Sequence, residues 1–175
     1  MSGTTKNAGP AWSAPIAVDE IAETGLHTEI EAPAEARESL AKVAGLRDLP
    51  RLTAAFDLTK KGSSVHVNGR VSATVGQTCV VTLEPMESEI EEAVDLVFAP
   101  AGLGAPAKAG DEPPEPLVGG IVDLGAVASE FLLLGIDPYP RKAGAKFVAP
   151  PTGDDGPHPF AALAALKKQP GRGPS

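Results

Sequence analysis

The sequence predicts an α+β fold: an antiparallel β-sheet of about four to six strands, with two or three helices packed on one face. Residues 64–83 alternate apolar and polar side chains, which is typical of a half-buried strand. Residues 123–135 and 158–168 instead repeat apolar side chains at helical spacing. With 19 Gly and 18 Pro among 175 residues, long loops are expected between these elements. The pattern leaves open whether the sheet closes into a barrel.

The length of 175 residues suits one hydrophobic core, and a second complete domain is not expected. We expect a flexible N-terminus at residues 1–12, a single domain at 13–168 and a disordered tail at 169–175. Within the domain, mobile loops are expected at about 99–120 and 141–157, where Ala, Pro and Gly predominate.

The net charge of −8 and the isoelectric point near 4.9 bear on what the protein binds. Nucleic-acid binding gains much of its affinity from basic side chains that displace counterions, so an acidic chain is not expected to coat RNA. Complementary charge favours a basic partner, and ribosomal proteins are abundant basic proteins. Solubility alone, however, accounts for many acidic surfaces.

The single cysteine and the N-terminal residues indicate a cytoplasmic protein. One cysteine cannot form an intramolecular disulfide, so the sequence gives no sign of an oxidising compartment. The N-terminal residues lack the apolar core of a secretory signal. The longest strongly apolar run, 131–134, is too short to cross a bilayer.

The N-terminal third of the domain predicts two strands and a helix. Short strands are expected at residues 13–21 and 25–32, bounded by Pro and Gly. A helix is expected within 32–46, with Pro33 at its first position and Gly45 in the left-handed conformation just past its end. Its apolar face comprises Ala36, Leu40 and Val43.

An antiparallel meander is expected next. Leu52, Ala54, Phe56 and Leu58 alternate with more polar residues, and residues 59–63 favour a hairpin turn. The odd positions from Val65 to Leu83 then form a mostly apolar face. Because this alternation is long for one strand, we expect a bend or bulge near 68–69 or at Gly76, or else two strands in phase. Residues 87–100 fit either a strand or a helix, and the preceding strands favour a third strand.

Two helices are expected in the C-terminal half, packed against the odd-numbered face of the sheet. Asp123 can cap the first, and Gly135 can end it. Its apolar face comprises Leu124, Val127, Ala128, Phe131 and Leu132. The second, at 158–168, begins with Pro159 near its start and ends with Lys167 and Lys168, where cations are favoured.

Cys79 is the first residue to weigh for chemistry. A structural zinc ion needs about four ligands, whereas Cys79, His27, His66 and His158 lie far apart in the sequence, so no metal is expected. A nucleophilic thiol needs a neighbouring base, but His66 falls on the even, polar face of the strand system. We therefore expect Cys79 to be a buried structural residue and the protein not to be an enzyme, with a cysteine-dependent enzyme as the less favoured alternative.

The charged residues offer two further interpretations. A run of glutamates could act in acid–base chemistry but is more simply a solvated edge; it comprises Glu84, Glu87, Glu89, Glu91 and Glu92. Basic side chains in loops and at the C-terminus keep open a small RNA-binding module; they are Lys60, Lys61, Arg141, Lys142, Lys146, Lys167, Lys168 and Arg172. The sequence has no phosphate-binding or hydrolase motif, and no cofactor is expected.

Three blocks of sequence resemble the YceD-like family of large ribosomal RNA subunit accumulation proteins, a bacterial domain of unknown function. They are VNGRVSATVGQTCVVTLEPMESEI (67–90), IVDLGAVASEFLLLGIDPYP (121–140) and HPFAALAALKK (158–168). Together with the strand at 56–58, the resemblance covers about residues 50–168. His158 stands where the family usually has Asn.

The resemblance implies a role in synthesis, processing or stability of large-subunit ribosomal RNA, and hence in ribosome biogenesis. It implies ribosomal proteins or large-subunit assembly intermediates as partners, leaves a weak or indirect rRNA contact open, and brings no catalytic residues. Many relatives carry C-x-R-C at the turn, where this chain has Val81 and Thr82, so a metal role does not transfer. The candidate interaction residues are Cys79, Thr82, Leu83, Glu84, Pro85, Pro159, Phe160, Lys167 and Lys168.

Overall fold

A computed structural model describes residues 11–100 and 113–148 of the chain. Its strands are β1 Pro15–Ala17, β2 Leu26–Glu31, β3 Asp48–Lys61, β4 Ser64–Thr78, β5 Pro85–Ala99, β6 Glu115–Pro116 and β7 Ile121–Asp123. Its helices are α1 Ala34–Ala44 and α2 Leu124–Gly135, and a 3₁₀ turn covers Val18–Glu20.

Five strands form an open sheet in the order β2-β3-β4-β5-β6, and β1 and β7 form a separate two-stranded sheet. All pairs are antiparallel except β5 and β6. This arrangement confirms the predicted α+β class and answers the open question about closure, because the five-stranded sheet is not a barrel. Neither described helix is long and apolar enough to cross a membrane.

The long alternation at 64–83 is mostly one strand. β4 pairs with β5 from Val65 to Thr78 without a shift in register, so this pairing has no bulge at 68–69 or at Gly76. The bulge expected near Gly76 is present in the pairing of β4 with β3, between Asp48, opposite Gly76, and Arg51, opposite Thr74; its extra residue lies in β3. The odd-position pattern ends at Cys79, beyond which the chain turns.

Gly69 does not mark the bend or bulge that was expected near 68–69; it allows two strands to approach each other closely. A Cβ at Gly69 would overlap the Ala55 carbonyl oxygen and lie 2.6 Å from Cδ1 of Phe56. The missing side chain therefore lets β3 approach β4 closely while the strand stays regular. The hairpin between these strands is confirmed, with a tight turn in which Gly62 has a φ of 63°.

One face of the sheet carries the core. A single apolar cluster buries the even residues of β3 from 52 to 58 and the odd residues of β4 from 65 to 75 except Gly69, together with residues of both helices. Helix α2 packs on β4 and β5, whereas α1 packs on β3. The predicted packing of the 123–135 helix on the odd-numbered face of β4 is confirmed. The opposite face of the sheet carries the even residues of β4.

Helix α1 begins and ends close to the predicted positions. Pro33 is the residue before the helix rather than its first residue, and Gly45 closes it with a φ of 67°. Ala36 and Leu40 are buried as predicted, but Val43 is 70% exposed and Ala41 is buried in its place. Helical spacing defines a face, but it does not show which turns of that face a neighbouring element covers.

Two segments predicted as mobile contain ordered residues. Trp12, placed in the flexible N-terminus, is buried in the core because the segment that follows pairs with β7 and packs beside α2. Within the 99–120 loop, β6 pairs with the end of β5, and the Leu117 amide donates to the Ala99 carbonyl at 2.8 Å. Residues 1–10, 101–112 and 149–175, including the predicted 158–168 helix and tail, lie outside the described residues.

Candidate functional site

The candidate site is the turn at residues 79–84, which joins β4 to β5. The Cys79 amide donates to the Glu84 carbonyl at 2.9 Å, and the Leu83 amide donates to the Cys79 carbonyl at 2.9 Å. Leu83 has a φ of 60°, the one positive φ among the described non-glycine residues, and its side chain is exposed. These bonds close a compact turn in which Cys79 lies opposite Leu83 and Glu84.

Backbone amides from two segments point at the buried Cys79 sulfur. The Thr82 amide donates to Sγ at 3.5 Å from within the turn. The Lys142 amide donates to the same atom at 3.4 Å from the loop after α2. The thiol itself is fully buried. Cys79 thus joins the turn to a segment more than 60 residues further along the chain.

Two more hydrogen bonds hold the loop after α2 against this turn. The Val80 amide donates to the Pro140 carbonyl at 2.9 Å. Nε2 of Gln77 donates to the Asp137 carbonyl, also at 2.9 Å. Together with the bond to Cys79, they attach the exit of α2 to the end of β4. The 79–84 turn and the 137–142 loop therefore form one structural unit.

The hydrogen bonds change the chemistry of the thiol. A side-chain hydrogen bond from Thr82, followed by the amides of Lys142 and Thr82, lowers the pKa of Cys79 to about 6, although burial acts in the opposite direction. The expected burial of Cys79 is confirmed. Beyond this burial, the sulfur accepts hydrogen bonds from the amides of Thr82 and Lys142, and these bonds favour the thiolate.

A surface ion pair closes the outside of the turn. Nζ of Lys142 lies 3.0 Å from Oε2 of Glu84, and this hydrogen bond and charge hold the pKa of Glu84 below its ordinary value. Both side chains are well exposed, so the pair adds little to stability. Lys142, a candidate for RNA contact, is thereby engaged with a carboxylate.

The structure brings five of the nine candidate interaction residues together: Cys79, Thr82, Leu83 and Glu84 in the turn, and Pro85 at the start of β5. The other four, Pro159, Phe160, Lys167 and Lys168, lie outside the described residues. Sequence reasoning missed Gln77, Asp137 and the Lys142 amide. Of these three, only Gln77 could have been identified from the sequence, because it is a polar residue at an odd position of a strand whose odd positions are otherwise mostly apolar.

His66 is well separated from Cys79. Thirteen residues of extended chain correspond to roughly 40 Å. His66 also lies on the opposite face, where its Nε2 is 2.8 Å from Oδ1 of Asp95. Among residues 11–100 and 113–148, no three His, Cys, Asp or Glu side chains are grouped to hold a metal ion.

Comparison with protein families gives one result. The model of the family described as large ribosomal RNA subunit accumulation protein YceD matches residues 67–167. The match begins within β4 and includes the 79–84 turn, β5 and α2. Comparisons with curated proteins and with solved structures found no match.

Proposed function

The chain belongs to the YceD family, and from this we propose that it is a non-enzymatic factor that supports the accumulation of large-subunit ribosomal RNA in the bacterial cytoplasm. The observation that carries the proposal is the family match over residues 67–167, which is more than half of the chain. The proposed step is the synthesis, processing or stability of this RNA during ribosome biogenesis. The partners are ribosomal proteins or large-subunit assembly intermediates.

The charge of the sheet face opposite the core favours protein contacts over contacts with the RNA backbone. Neighbouring strands bring seven carboxylates onto this face: Glu29, Glu31, Asp57, Glu87, Glu89, Glu91 and Asp95. Its two arginines are paired, Arg51 with Glu89 at 2.8 Å and Arg70 with Glu91 at 3.1 Å. An acidic surface of this kind repels phosphate and attracts basic proteins.

A second candidate is a thiol-dependent enzyme, favoured by the lowered pKa of Cys79. A substrate would have to reach a sulfur atom that is fully buried and already accepts two amide hydrogen bonds. The non-enzymatic role is therefore preferred. Replacing Cys79 separates the two candidates.

The test is a sucrose-gradient ribosome profile with rRNA quantification, in cells that lack the gene and are complemented with wild type or Cys79→Ala. We expect the deletion to reduce large subunits and both versions to restore them. An unchanged profile in the deletion strain would contradict the proposed function. Rescue by wild type alone, with Cys79→Ala equally abundant and equally stable in a melting curve, would favour thiol chemistry.

Direct RNA contact is tested separately with the purified chain and a fragment of large-subunit rRNA. Binding through phosphates weakens steeply as salt is added, because bound counterions are released. We expect no such salt-dependent binding. Tight binding with a steep salt slope would replace the protein-contact mechanism with the RNA-binding alternative.

A further inference from the structure

A cleft of about 260 Å³ lies beside the candidate site, where the ends of both helices meet the end of β4. We call it the end cleft. Its walls comprise residues 44–47 after α1, Gln77, Thr78 and Val80, and residues 136–138 and 140 after α2. Its volume is below the range of pockets that hold nucleotides or drug-sized ligands, but it suits an anchoring side chain of a protein partner.

Gln77 in the cleft wall has an unsatisfied hydrogen-bonding group. The residue is 7% exposed, and its Nε2 donates to the Asp137 carbonyl. Its Oε1 is buried and has no hydrogen-bond partner among the described residues. A buried polar atom without a partner costs free energy, so its retention in the wall of a cleft points to an incoming donor.

Electrostatics favour a cationic donor. Helices α1 and α2 both end at the cleft, and the C-terminal end of a helix carries partial negative charge. Asp137 and Arg47 are the charged side chains in the described walls, and their charges offset one another. The partial negative charge of the two helix ends and Oε1 of Gln77 therefore make the cleft favour a cationic hydrogen-bond donor.

Exposed apolar side chains follow the segments that form the cleft. Val80 lines it directly, Leu83 belongs to the same turn, and Tyr139 lies between two lining prolines. Val43 and Leu134 lie in the last turns of the two helices that end there. Exposed apolar side chains on the segments that adjoin a small pocket are typical of the anchor region of a protein interface.

We propose that the end cleft docks a partner protein by accepting one lysine or arginine side chain from an otherwise apolar segment. The aliphatic stem packs against Val80 and Pro138, and the Gln77 side chain moves so that its Oε1, covered in the unbound protein, accepts from the charged head near the helix ends. The proposal rests on the proposed function, since it specifies the protein contact through which that function acts.

The first test uses the isotope-labelled full chain and two blocked tripeptides, Leu-Arg-Leu and its neutral counterpart Leu-Gln-Leu. Nuclear magnetic resonance titration should shift signals of Gln77, Val80 and Ile136, and the Arg peptide should bind about tenfold more tightly. Equal affinities, shifts centred on the acidic sheet face, or no binding of the Arg peptide at about 10 mM would each overturn the proposal.

A matched pair of variants locates the contact. Val80→Ser removes an apolar wall of the cleft while keeping the amide that bonds Pro140, and it should weaken binding of the Arg peptide about fivefold. Val97→Ser makes the same change at an exposed position on β5 and should leave binding unchanged. Equal effects of the two, or no effect of Val80→Ser, would overturn the assignment. Displacement of the peptide from the cleft by a short RNA would also overturn the assignment.

The outcome is separable from that of the proposed function. Peptide binding is measured on purified protein and does not depend on ribosome levels. A normal ribosome profile in the deletion strain would refute the proposed function while the peptide result stands. If deletion lowers large subunits but Val80→Ser and Val97→Ser rescue equally, the cleft is not the contact through which the function acts.

Discussion

Replacing Asp123 tests how the N-terminal segment and α2 are held together. Its carboxylate accepts hydrogen bonds from the Ser13 hydroxyl at 2.7 Å and the Ala14 amide at 2.8 Å. It also caps α2 by accepting from the amides of Gly125 at 3.0 Å and Ala126 at 3.1 Å. One side chain thus joins two segments that lie more than 100 residues apart in the sequence.

The expected cost of Asp123→Ala follows from these bonds. Loss of a helix N-cap costs about 1 kcal/mol. The partly buried Ala14 amide also loses a charged acceptor, which adds about 1–2 kcal/mol. The free energy of unfolding should fall by about 2–3 kcal/mol, as a lower urea midpoint with an unchanged m-value. Asp19→Asn, which removes an exposed carboxylate, should stay within about 0.5 kcal/mol of wild type.

The pH dependence gives a second readout. Burial alone would raise the pKa of Asp123, but hydrogen bonds from Ser13 and from the Ala14, Ala126 and Gly125 amides outweigh it and lower the pKa. The carboxylate therefore stabilises the fold above its unfolded pKa, and this contribution is lost as the pH falls through the lower, folded value. Asp123→Asn should keep most of the cap and lose this acid dependence. If Asp123→Ala is no more harmful than Asp19→Asn, the reasoning is wrong.

Three other predictions concern the site and the sheet. A thiol reagent should label Cys79 slowly in folded protein and quickly in urea, and the ultraviolet absorbance of the thiolate should fall as the pH drops through about 6; rapid native labelling would contradict its burial. Gly69→Ala should cost about 1–3 kcal/mol in urea unfolding, because its Cβ would overlap the Ala55 carbonyl, and an unchanged midpoint would refute this contact. The hydrogen bond and then the charge of Asp57 raise the pKa of His27, so the pair stabilises the fold below the unfolded pKa of His27 and loses this effect as the pH rises through the folded value. Asp57→Asn should lower the pKa of His27 in a magnetic resonance titration, and an unchanged value would exclude the pair.

Much of the fold could be predicted because its signals are local. The alternation in β3 and β4 showed which side chains face the core, and those from Leu52 to Val75 are buried as expected. Asp123 and Gly45 marked helix ends through the backbone geometry that each residue type favours. Each signal needs only a few neighbouring residues to be read.

The errors arose where distant segments meet. Trp12 looked like part of a flexible end because its burial depends on elements more than 100 residues further along. The bulge fell in β3 because a register irregularity can lie in either strand of a pair, and the glycine in β4 instead marks a close approach. The ordered β6 was missed because a strand of two residues has no periodicity to detect.

The sequence by itself determined the fold class, the buried face of the sheet, the capped helices and the family resemblance that the match over residues 67–167 supports. Only the tertiary structure decided the state of the Cys79 thiol and the position of the end cleft. Both depend on residues 136–142 lying against the end of β4, and backbone amides such as that of Lys142 have no side-chain identity to read. Periodicity records which way a side chain faces, whereas a hydrogen bond between distant segments exists only after the chain has folded.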